Sequence, residues 1–171
     1  MKQTLTKRIC RAGLIAALYV ALTYAFMPFA FGPFQIRPAE ALCILPLFFP
    51  EAIPALFIGC ALSNIASPFA LYDVAIGSLT TLIAAFGTYM VGVYAKKDLW
   101  KIIFGGIFPV LLNALIIPIV FVYLYEGGEA SAPAYFAGFA SILLTQAVWV
   151  YGLGSCVYFP LQRLKDTWLK S

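Results

Sequence analysis

The sequence predicts an all-α integral membrane protein, six transmembrane helices in a compact bundle forming a single domain over residues 1–171. Three observations predict it: the composition, the lengths of the apolar runs and the placement of charge. Apolar residues make up 63% of the chain and charged residues 11%, with a mean hydropathy of +0.95. Soluble domains carry roughly 45–50% apolar and about 25% charged residues. Too little polar surface is present to coat a particle in water, and a lipid bilayer is the solvent that fits.

A helix needs about 20 residues to cross the hydrocarbon, which leaves room for five or six crossings once loops are subtracted. The first apolar run, from Ala12 to Phe31, follows Lys2, Lys7, Arg8 and Arg11. It exceeds the roughly 7–15 apolar residues of a signal peptide, so residues 9–28 are expected to be a retained helix. Pro28, Gly32, Pro33 and Pro38 then make 29–37 a loop.

Apolar sequence resumes from Ala39 to Phe49 and from Ala52 to Ser67. The Phe49-Pro50-Glu51 break predicts two short helices joined by a tight turn. The alternative, one long kinked helix, would invert every later orientation. Three further helices are expected. One runs from Tyr72 to Ala95, before Lys96, Lys97 and Asp98. The next runs from Ile102 to Tyr125, before the Gly-rich acidic stretch Glu126 to Glu129. The last runs from about Pro133 to Leu161, before Arg163, Lys165 and Lys170.

Charge supplies an independent count. Six crossings put Lys2, Lys7, Arg8, Arg11, Lys96, Lys97, Lys101, Arg163, Lys165 and Lys170 on one side, ten of the eleven basic residues. That asymmetry marks the cytoplasmic face, with both termini on it. Five crossings would put the C-terminal cluster outside. Arg37, in the first outer loop, is the exception, and it is the first pointer toward a site.

Several functions are disfavoured. Histidine is absent, which removes the commonest general base and metal ligand. Cys10, Cys43, Cys60 and Cys156 form no CxxC pair, so neither a disulfide framework nor a metal site is expected. No GxxxxGK[ST] loop is present, so ATP hydrolysis is not expected of this chain. The formal charge of +4 is spread along membrane edges, which argues against nucleic acid as a partner. No cofactor is expected.

Gly13, Ala17, Ala21 and Ala25 place a small residue every four positions of the first helix, a smooth stripe down one face. Such stripes let helices approach closely in membranes; the neighbour is either within this chain or a partner subunit. Arg37 and Glu40 flank Pro38 at a helix start, where proline and an acidic residue both suit the first turn. They either cap that end as a local pair or face a ligand cavity. Asn64 lies near the outer end of one short helix, and Asp73 near the start of the next, as a cap or a ligand group. Asn113 and Gln146 lie about twelve residues into the last two helices, where buried polar groups need partners. Trp149 adds an aromatic face nearby. Carboxylates and amides beside a ring suit a flat heterocycle with several N–H donors, so binding is better supported than catalysis.

The run from Phe34 to Leu42 with its Arg37-Pro-Ala-Glu40 core, Gly59 to Asn64, and Asp73 with Gly77, Ser78, Thr80 and Leu82 resemble the QueT family. Members are queuosine-precursor transporters, the substrate-binding S components of energy-coupling factor (ECF) uptake systems. They more often carry serine at the position of Pro38. The resemblance extends over essentially the whole chain.

It implies an S component in the bacterial plasma membrane, with a substrate pocket near the extracellular side under the first loop. It also implies docking on a membrane T subunit that carries two ATPase subunits, through the stripe Gly13, Ala17, Ala21 and Ala25. The implied ligand is a 7-deazaguanine: the 7-aminomethyl or 7-cyano base, or queuine. Glu40, with Asp73 second, would accept its paired N–H donors, as a carboxylate does best. Asn64, Asn113 and Gln146 would read the remaining edge, Trp149 would stack, and Arg37 would hold Glu40 or meet the base carbonyl. The competing readings are a stand-alone secondary transporter, although no internal repeat is seen, and a membrane enzyme or assembly protein.

Overall fold

The computed structural model describes residues 5–31, 35–125 and 131–170, and among these every regular element is helical. The expectations placed on Lys2, Gly32, Pro33, Phe34 and the stretch Glu126 to Glu129 lie outside the described residues.

Helix α1 spans Leu5–Ala25 and is followed by a single turn, α2, at Met27–Ala30. A 3-10 helix occupies Pro38–Leu47, and α3 occupies Ala52–Asn64. Three long helices follow: α4 at Ala70–Tyr94, α5 at Asp98–Leu124 and α6 from Ala132 through Leu164. α1, α4, α5 and α6 are long and apolar enough to cross a membrane, whereas Pro38–Leu47 and Ala52–Asn64 are shorter apolar helices. At rises of about 2.0 Å and 1.5 Å per residue, each of the short pair is roughly 20 Å long. The hydrocarbon core is about 30 Å thick.

Several helix boundaries differ from the sequence expectation. Pro28 sits at the start of α2, a position that tolerates its missing N–H, so the loop begins later than residue 29. α5 starts at Asp98 rather than Ile102 because Asp98 suits the first turn. α6 runs past Leu161 through Pro160. The Phe49-Pro50-Glu51 break does form a tight turn, closed by Phe48 N–H to Leu45 O (2.9 Å) and Ala52 N–H to Phe49 O (3.0 Å).

The surface is apolar where lipid would lie: Leu14, Leu18, Leu62, Ile83, Phe86, Leu111, Leu115 and Leu144 are all exposed. The 3-10 helix is the opposite case. All ten of its residues are buried, and it packs against α1, α3, α4, α5 and α6. An element buried on every side, apolar except for Glu40, belongs in the middle of a bundle. Ten residues is long for 3-10 geometry, in which runs beyond about four are uncommon. Pro46, which has no N–H to donate, lies inside it.

One end of the bundle gathers several chain segments. Glu51 accepts from Arg11 Nη1 at 2.7 Å and Arg8 Nε at 3.3 Å, clasping the turn to the start of α1. Arg11 also lies over the Phe49 ring at 4.1 Å. Phe48 meets Tyr158 of α6 at 4.9 Å between ring centres, and the Tyr158 hydroxyl donates to Asp98 at 2.8 Å. The start of α1, the 48–51 turn, the start of α5 and the Tyr158 level of α6 therefore lie together.

Candidate functional site

Twelve residues or fewer beyond that clasp, the buried face of α1 and the start of the 3-10 helix bring polar groups together. Glu40 is 2% exposed. Its Oε1 accepts from the Tyr19 hydroxyl at 2.6 Å, and its Oε2 accepts from Cys43 Sγ at 3.3 Å and Asn113 Nδ2 at 3.4 Å. Three helical elements thus converge on one carboxylate. Asn113 is satisfied by a long-range bond from α5, which resolves why an amide sits in the middle of that apolar helix.

A second group adjoins the first. Arg37 is 5% exposed; its Nε donates to Ala30 O at 2.8 Å and its Nη1 to Asn64 Oδ1 at 3.3 Å. The guanidinium lies 4.9 Å from the centre of the Phe31 ring. Asn64 Nδ2 donates to the backbone carbonyl of Asp73 at 2.8 Å and approaches Cys60 Sγ at 3.4 Å. The Asp73 carboxylate, 4% exposed, accepts from Ser67 Oγ. The two groups meet around Tyr19, Cys43 and Cys60, which belong to one packed cluster.

The simpler alternatives for these residues do not hold. Neither Arg37 nor Glu40 caps the 3-10 helix through its side chain, and no Arg37–Glu40 ion pair is present among the described residues. Asp73 does not cap α4, which begins at Ala70. It lies in a π-helical segment, Asp73–Gly77, a geometry frequent at functional sites. Arg37, expected in an outer loop, is buried.

Gln146 is 1% exposed and its Oε1 has no hydrogen-bond partner among the described residues. Trp149 is half-buried at the start of another π segment, Val148–Leu153. Neither side chain hydrogen-bonds to the cluster among the described residues. Of the seven candidate residues, five are therefore joined through hydrogen bonds and shared packing, and the two on α6 make no hydrogen bond to them among the described residues.

A cleft of about 380 Å³ lined by Met27, Pro28, Phe31, Ala66 and Pro68 opens beside Arg37. Phe31 is shared: it lines the cleft and covers the guanidinium. The loop beneath is closed by Ile36 N–H to Phe29 O at 3.0 Å, and Gln35 adopts the left-handed region at φ 43°. That conformation is uncommon for a non-glycine residue.

Gly13, Ala17, Ala21 and Ala25 are all exposed. α1 turns Ile15, Tyr19 and Thr23 inward instead, and packs on α3 along that face. Packing of the small stripe within this chain is not what the fold uses.

Sequence reasoning missed Tyr19, Cys43, Cys60, Ser67 and Phe31. Tyr19 carried a usable signal: a tyrosine eight residues past Arg11 lies well inside a span, whereas tyrosines otherwise favour the interface.

The helices and the buried cluster define a multi-pass membrane protein with a polar cluster enclosed in an apolar bundle. The family model described as QueT transporter matches residues 9–163, nearly the whole chain, and the protein belongs to that transporter family. No curated protein and no solved structure matches it.

Proposed function

We propose that this chain is the substrate-binding S component of an ECF uptake transporter in the bacterial plasma membrane. Its substrate is a queuosine precursor of the 7-deazaguanine type, namely the 7-aminomethyl or 7-cyano base or queuine. The observation that carries the reading is the set Arg37, Glu40, Asn64, Asp73 and Asn113, buried together in a bundle whose outer surface is apolar. Buried polar groups in hydrocarbon are costly unless they serve structure or ligand. Glu40 offers a carboxylate for the ring N–H and exocyclic amine, and Asn113 and Asn64 offer amides for the remaining edge. Gln146, whose Oε1 has no partner among the described residues, adds a further contact, and Trp149 a face for stacking. The cleft beside Phe31 supports entry from the loop end.

The clasp of Glu51 by Arg8 and Arg11 supports six crossings with cytoplasmic termini, because that topology requires the 48–51 turn and the start of α1 to share a face. The exposed stripe Gly13, Ala17, Ala21 and Ala25 supports docking on a T subunit that carries two ATPases. This role is transport rather than catalysis.

The experiment is binding of radiolabelled 7-deazaguanine bases to the purified protein. Saturable binding supports the ligand; none below the millimolar range removes it. Co-purification with a T subunit and ATPases tests the S-component role, and uptake without them would make the protein a stand-alone secondary transporter.

A further inference from the structure

Tyr19 is completely buried on α1, and its hydroxyl makes the shortest contact to Glu40, at 2.6 Å on Oε1. A hydroxyl that donates to a carboxylate at this distance forms a strong, directional bond. The contacts on Oε2, from Cys43 and Asn113, are longer at 3.3 and 3.4 Å. One carboxylate oxygen is held firmly, and the other is held loosely on the side of α5.

Tyr19 stands where α1 and α3 meet closely. A Cβ added at Gly59 of α3 would come within 2.9 Å of Tyr19 Cβ and 3.1 Å of Ala16 O, so α1 and α3 touch at this level. Thr23, the neighbouring buried hydroxyl on α1, bonds back to Tyr19 O at 2.9 Å within its own helix. Among the described residues, Tyr19 is the α1 side chain that hydrogen-bonds into the polar cluster.

We infer that Tyr19 is a positioning residue for the binding site: it fixes the Glu40 carboxylate through Oε1 so that Oε2 is presented to a ligand donor. This rests on the reading of Glu40 as a ligand group given above. It also makes Tyr19 the point where α1, whose opposite face is the exposed small-residue stripe, bears on the site. A shift of α1 reaches the Glu40 carboxylate through this hydrogen bond, in addition to the packing of α1 on the 3-10 helix.

The test is a double-mutant cycle in the full-length protein, with wild type, Tyr19→Phe, Glu40→Gln and the double variant. Binding of radiolabelled 7-aminomethyl-7-deazaguanine is measured below the unfolding midpoint of every variant. Tyr19→Phe keeps the ring and is expected to weaken binding about tenfold, as loss of a hydrogen bond to a charged group does. The double variant is expected to bind like Glu40→Gln alone, because the two residues act through one contact. Thr23→Val removes the adjacent hydroxyl on the same helix and is expected to bind like wild type.

Tyr19→Phe binding equal to wild type overturns the inference, as do effects that multiply in the double variant. Equal weakening by Thr23→Val also overturns it, since the cause is then general loosening of α1. Absence of binding by wild type removes the ligand assignment itself, and the inference with it. Binding by wild type with an additive cycle removes the inference alone.

Discussion

The Thr88 hydroxyl on α4 donates to the Gly105 carbonyl on α5 at 2.7 Å, and Pro109 is the reason that carbonyl is free. In an α-helix the N–H of residue 109 would bond to the carbonyl of residue 105, but proline has no N–H. Thr88 is completely buried and supplies the missing donor from the neighbouring helix. Thr88→Val keeps the shape and orphans the carbonyl, so stability should fall by about 1–3 kcal/mol. Thr88→Ser should retain most of it. Thermal unfolding in detergent measures both, and equal midpoints for Val and Ser would mean the bond is dispensable.

Gly77 makes room for the site. A Cβ there would lie 2.9 Å from Asn64 Nδ2, the atom that donates to Asp73 O. Gly77→Ala should displace Asn64 from both Asp73 and Arg37 and weaken ligand binding by about 1–3 kcal/mol. Helix propensity works the other way, favouring alanine by about 1 kcal/mol, so stability should change little. Gly152→Ala meets nothing within 4 Å and is the control. If the two variants bind the deazaguanine base equally well, Asn64 does not depend on that space.

Glu40→Gln replaces the central acceptor with an amide of the same shape. Tyr19, Cys43 and Asn113 all donate to Glu40, and an amide carbonyl can satisfy only part of that set. Affinity for the base should fall by roughly 1.5–3 kcal/mol. Equilibrium binding at fixed protein concentration decides it, and an unchanged constant would leave Glu40 a purely structural group.

The exposed stripe on α1 gives a prediction that separates binding from uptake. Ala17 and Ala21 face away from Ile15, Tyr19 and Thr23, so a bulky side chain there leaves the interior untouched. Ala17→Trp or Ala21→Trp should abolish uptake in cells while the purified protein binds substrate as wild type does. Uptake that survives both substitutions would show that the partner docks elsewhere.

How far the sequence foretold this arrangement depended on contrast. Arg37, Glu40, Asp73 and Asn113 stood out because a charged or amide side chain in an apolar run is costly, and all four are buried in one cluster. The turn at Phe49-Pro50-Glu51 was legible because proline interrupts helix hydrogen bonding. Cys43 and Cys60 were not, since each is also an ordinary residue of an apolar core. Glu51 was read only as a turn residue, and Arg8 and Arg11 only as membrane-edge charges. Their pairing spans 43 and 40 residues of sequence, a separation at which local pattern carries no information. The 3-10 geometry of Pro38–Leu47 was equally hidden, because an element buried on every side has no hydrophobic period to read.

Gln146 separates function from stability most sharply. Its Oε1 is buried with no partner among the described residues, and an unsatisfied acceptor in such a place costs about 1–3 kcal/mol. Gln146→Leu removes that cost and adds apolar contact with the Ile142 side of α6, so the ligand-free protein should unfold at a higher temperature. If Oε1 is kept to accept an N–H from the base, the same variant should bind it about 1–2 kcal/mol more weakly. The two measurements move in opposite directions only when the orphan acceptor serves the ligand. A variant that is more stable and binds as well as wild type would place Gln146 outside the site, leaving Glu40 and Asn113 to carry that edge of the pocket.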